Sequence, residues 1–137
     1  FTLANFMRTN IYSAIATLKI GMEILEKENV VIDKLMGHGG LFKTEYVGQK
    51  LMSGAMKAPV SVLSTAGEGG AWGIAVLASF AKESFGLSLD EFLDKKVFSK
   101  FEIKTTVPDE KDISGFEKYM QLYKKSLAVE KSAVENI

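Results

Sequence analysis

Ile11, Ile15, Leu18, Met22 and Leu25 recur at spacings of four and three, which predicts one face of an amphipathic helix running from Leu3 to about Glu28. Lys27, Glu28 and Asn29 close it. The β-prone run from Val30 to Met36 then feeds Gly37-His38-Gly39-Gly40, so a short strand is expected to end near Gly37. After a loop at Leu41, Phe42 and Lys43, Thr44 is expected to cap a second helix, with Glu45 placed at the positive end of its dipole. Val47, Leu51 and Ala55 beside Gly48, Met52 and Met56 make a broad apolar stripe on that helix, and Pro59 ends it.

Val60 to Ser64 alternates like a strand and leads into a second glycine turn, Gly67-Glu68-Gly69-Gly70. The segment from Gly70 to Phe85 is apolar nearly all round, with Trp72, Ile74, Val76, Leu77 and Phe80, which predicts a helix covered on most sides and stopped by Gly86. Leu87 to Phe92 reads as a further short helix, and Lys100 to Val107 as an extended connector. From about Asp112 the residues Phe116, Met120, Tyr123 and Leu127 return to helical spacing, with fraying expected from Val129. Strands alternating with helices predict an α/β layer whose parallel strands carry ligand loops at their carboxyl ends.

At 137 residues the chain has the size of one domain, and 47% hydrophobic with 25% charged residues is ordinary for a globular protein. Seventeen basic residues balance seventeen acidic ones, so no nucleic-acid partner and no anionic membrane surface are expected. Cysteine is absent and histidine occurs once, which removes disulfides, thiolate metal sites and a cysteine nucleophile. No apolar run is long enough to span a bilayer. A cytoplasmic protein fits these features, and the start at Phe1 reads as a cut within a longer chain.

The glycine turns are the candidate chemistry. Glycine admits positive φ and lets another molecule approach the backbone, so Gly39 and Gly40 would let a nucleotide lie flat there. Thr44 would add a hydroxyl contact, and Leu41 with Phe42 an apolar wall. The alternative is that these glycines only make tight turns, His38 only a structural hydrogen bond, and Glu68 only a helix cap. Neither a P-loop nor a GxGxxG fingerprint is present, and no nucleophile elbow or paired-carboxylate set emerges, so no catalytic or metal-ligating residue is assigned. Phe116, Tyr119 and Tyr123 either pack back onto the first helix or form a partner-binding face.

The ordered set Leu35-Met36-Gly37-His38-Gly39-Gly40, Gln49, Pro59-Val60, Glu68 and Gly73-Ile74-Ala75-Val76-Leu77-Ala78 resembles the carboxy-terminal domain of the FGGY family of carbohydrate kinases. The first helix with Arg8 and the last with Tyr119 and Tyr123 are similar too. The resemblance implies an α/β, actin-like, ribonuclease H-like ATPase domain. Residues 1–137 would be part of its carboxy-terminal, nucleotide-binding side, with a small sheet packed by helices and the amino-terminal sugar-binding domain absent. It implies that Gly39 and Gly40 approach the adenosine and α-phosphate of ATP, and that Thr44 stands where the family often has asparagine. Gln49 and Glu68 fall on motif positions and are given structural roles. The whole protein would use ATP and Mg2+ to phosphorylate a sugar, a pentulose such as ribulose or xylulose, while this piece alone would be inactive. The alternative is a non-catalytic actin-like nucleotide-binding or protein-interaction module, and a homodimer stays open.

Overall fold

A computed structural model describes residues 2–64 and 69–137. Helix α1, Leu3–Lys27, opens at Thr2, whose hydroxyl accepts from the amide of Asn5 at 3.2 Å, and carries Lys27 in its last turn. Strand β1, Leu35–Gly37, is followed by a 3-10 turn at Gly40–Phe42 and by helix α2, Val47–Met56. Lys57, at φ 55°, ends α2 in the left-handed region two residues before Pro59. Strand β2, Val60–Leu63, precedes helix α3, Gly69–Glu83. The short α4, Leu89–Phe92, is closed at its start by a capping box of Ser88 and Glu91 and runs on into a π-helical turn, Leu93–Val97. Strand β3, Ile103–Thr106, and helix α5, Glu110–Glu135, complete the order.

The sheet runs β1-β2-β3, with β1 and β2 parallel and β3 antiparallel to β2. The expected connector is thus a strand, and the sheet is mixed rather than wholly parallel. A hydrogen bond of 2.7 Å between the hydroxyls of Ser61 and Thr105, directly opposite each other, ties β3 to the buried central strand. α2 is the crossover between the parallel strands and lies on one face of the sheet.

The core forms where α1, α2 and α5 meet, around Tyr12, Ile15, Ala16, Leu51, Ala55, Met56, Phe116 and Met120. Phe116 stands edge-on to Tyr12 at 5.0 Å between ring centres, and Tyr119 stacks on Tyr123, whose hydroxyl bonds Thr17 at 3.1 Å. The last helix therefore packs back onto the first. Within α1 the buried positions are Tyr12, Ile15 and Ala16, and Ile11 and Met22 of the expected face pack against the same core, while Leu18 stays half exposed; the buried face also takes in Tyr12, on which Phe116 and Tyr119 of α5 seat. α5 stays helical to Glu135 rather than fraying at Val129.

Helix α3 departs furthest from expectation. It has no buried residue among those described, and Ile74 and Leu77 are 69% and 50% exposed. The segment after it covers only one flank, through Trp72 against Phe98 and Phe101 and Phe80 against Phe92. Phe85 and Gly86 both take positive φ in the turn that reverses the chain after α3.

Candidate functional site

Because β1 and β2 are parallel and pair Gly37 with Val62, their carboxyl ends lie side by side, the position where open α/β sheets bind ligands. The chain leaving β1 turns through Gly39 at φ 97° and ψ −171°, a backbone region open essentially only to glycine. Its carbonyl accepts from the amide of Phe42 at 3.1 Å, and that of Gly40 from Lys43 at 3.2 Å. A Cβ placed on Gly39 or Gly40 meets no described atom within 4 Å. Among the described residues, this turn has nothing covering its backbone on that side.

It is held from beneath by its own neighbours. The ring of Phe42 lies over Gly37, with atoms 2.5 to 2.9 Å from where a Cβ would stand. The carbonyl and side chain of Leu41 lie over Gly48 in the first turn of α2. His38, exposed, rests against Gly69 at the start of α3, so side-chain contact joins the first glycine turn to the second. Glu68, an expected contact or cap, lies outside the described residues.

The structure thus brings half-buried Gly39 and exposed Gly40 together at one edge, with half-buried Leu41 packed against Gly48 of α2. Thr44 is exposed near them but caps nothing. α2 starts later, at Val47, because Tyr46 takes φ 69°, outside helical space, and the helix has no side-chain cap. Glu45 consequently stands before the helix and pairs with Lys104 of β3 at 2.5 Å. The hydrogen bond from Lys104 holds the Glu45 carboxyl below the usual carboxylate range, and Glu45 raises the Lys104 ammonium in return.

Beside the turn, between α2 and the β2-β3 edge, a groove of about 300 Å³ is lined by residues including Phe42, Lys43, Gln49, Leu63 and Ser64. A second groove of about 320 Å³ lies against it, toward Thr106, and the two share Glu45, Gln49 and Lys104. Gln49 is 3% exposed, and its Oε1 is buried with no hydrogen-bond partner among the described residues. Its position on the helix gave no sign of this, because the missing partner is a consequence of how α2 sits on β2 and β3.

Among the described residues no three His, Asp or Glu side chains gather as metal ligands do, and no helix is long and apolar enough to cross a membrane. Residues 1–82 match the family model described as the FGGY family of carbohydrate kinases, C-terminal domain. No curated protein and no solved structure matches the chain.

Proposed function

Because the chain belongs to the FGGY family of carbohydrate kinases, we propose that residues 1–137 form part of the nucleotide-binding side of its carboxy-terminal domain, with an actin-like ATPase fold. The sugar, a pentulose such as ribulose or xylulose, would be held mainly by an amino-terminal domain. In the cytoplasm the whole enzyme transfers the γ-phosphoryl of MgATP to a sugar hydroxyl. The observation that carries this reading is the open backbone of Gly39 and Gly40 at the carboxyl end of β1, where no described atom competes with a ligand.

The residues present fit a nucleotide. Gly39 and Gly40 admit close approach to the adenosine and α-phosphate, Thr44 offers an exposed hydroxyl beside them, and half-buried Leu41 fixes the turn on α2. Mg2+ commonly binds through phosphates, water and one or two carboxylates, so no dedicated cage in this chain is required. Bound MgATP supplies the phosphoryl group; this chain's part is to seat and orient it. Phosphoryl transfer depends chiefly on such positioning and on charge stabilisation.

The polypeptide carrying this chain should form ADP from MgATP only when a pentulose is added. Nucleotide binding with no sugar-dependent turnover would overturn the kinase reading. It would favour a non-catalytic actin-like module, for which the exposed apolar surface of α3 gives separate support as a surface for assembly, including with a second copy.

A further inference from the structure

We propose that Gln49 reads the edge of the adenine base and makes the nucleotide site selective for adenine over hypoxanthine. This rests on the nucleotide reading of the glycine turn and goes beyond the structural role expected for that glutamine.

A primary amide carries an acceptor oxygen and a donor nitrogen side by side. Burying that oxygen without a partner costs stability, and native structures rarely leave such atoms unexplained. Of the buried side-chain atoms without a hydrogen bond, the other described one, Asp112 Oδ2, has the Lys50 ammonium 3.5 Å away. Among the described residues Gln49 Oε1 has no hydrogen-bond partner and no ion pair. Its side chain lines the groove that begins at Phe42 and Lys43, members of the same turn that offers Gly39 and Gly40. A base whose sugar and phosphate lay on that turn would have this groove next to it. Phe42, Val62 and Leu63 give it apolar walls suited to the faces of a flat ring.

An adenine edge places a donor at N6 beside an acceptor at N7, the complement of the glutamine amide. Hypoxanthine has an oxygen at position 6, which would face Oε1 acceptor to acceptor. The Glu45–Lys104 ion pair belongs to both grooves along with Gln49, and both of its members are exposed, so it can swing aside at little cost as the base enters.

The test compares ADP with IDP on this chain by calorimetric titration, in the natural sequence and in Gln49→Leu. The variant replaces an unpartnered amide by an apolar group of similar size, so its thermal midpoint should be unchanged or higher. ADP should bind about fivefold or more tighter than IDP to the natural chain, and the ratio should fall to near one in Gln49→Leu through loss of ADP affinity. Equal binding of ADP and IDP by the natural chain would overturn the role of Gln49 and leave the glycine site standing, as would a preference that survives in the variant. Failure of both nucleotides to bind would remove the glycine site and this role together.

Discussion

The carbonyl oxygen of Leu41 lies over the α-carbon of Gly48, so that a Cβ placed there would stand 2.3 Å from it. This contact seats the glycine turn on the first turn of α2. Gly48→Ala would gain about 1 kcal/mol in helix propensity. The clash is with backbone rather than with a movable side-chain end, and overpacking of this kind costs roughly 1–3 kcal/mol. The variant should therefore unfold at lower urea concentration, and unchanged or raised stability would show that the turn is not braced on α2.

Gly39 tests strain separately from crowding. Its side is open, but φ 97° with ψ −171° belongs to glycine. Gly39→Ala should cost about 1–3 kcal/mol in chemical denaturation, although no described atom is struck. A neutral result would mean that the turn relaxes freely, and the bare surface would then not be a fixed feature.

Phe116 decides between core and partner face for the last helix. It is 2% exposed and meets Tyr12 edge-on, so Phe116→Ala should destabilise by about 3–5 kcal/mol. Leu122, exposed on the same helix, should be replaceable by Ala with a change within about 0.5 kcal/mol. A well-folded Phe116→Ala chain would return that aromatic to the surface role.

Alkaline pH should weaken the same junction. Burial pushes the Tyr12 phenol above the ordinary tyrosine range; Arg8 pulls it back, Asp112 raises it and Lys50 lowers it. Tyr119 is likewise raised by burial, and then by Tyr123. A phenol that ionises less readily in the folded chain contributes stability that is complete below the unfolded value of ~10 and is lost as pH rises past it toward the folded value. Denaturant midpoints should fall from pH 9 to 11, and Tyr12→Phe should flatten the fall while leaving the part due to Tyr119. An unchanged slope would remove Tyr12 from the account.

Much of this fold could be read from residue spacing. α1, β1, β2 and the helical spacing of α5 follow from apolar periodicity and from glycine and proline punctuation, which act locally, while the packing of α5 onto α1 is one of two outcomes that spacing allows. Sequence pattern and structure part where tertiary contact decides. Thr44 has the chemistry of a cap, yet the left-handed turn at Tyr46 delays α2 past it. The composition of α3 predicts burial, but covering it takes partners beyond the short segment that packs on one flank. β3 read only as extended because its pairing partner, β2, lies some forty residues earlier in the chain. At the candidate site, Gly39 and Gly40 were visible as a turn open to ligand approach. The unpaired amide of Gln49 was not, since it arises only when α2 settles on β2 and β3.

The seating of adenosine on the Gly39–Gly40 backbone is tested most directly by Gly40→Ala. The new methyl group would point into open space, so folding should be unaffected, yet it would stand where a nucleotide must lie. In the natural chain, ADP should shift amide resonances from Gly39 to Thr44, and in Gly40→Ala its affinity should fall about tenfold, near 1.4 kcal/mol. Undiminished ADP affinity in a folded Gly40→Ala chain, or shifts clustered away from that turn, would contradict the account.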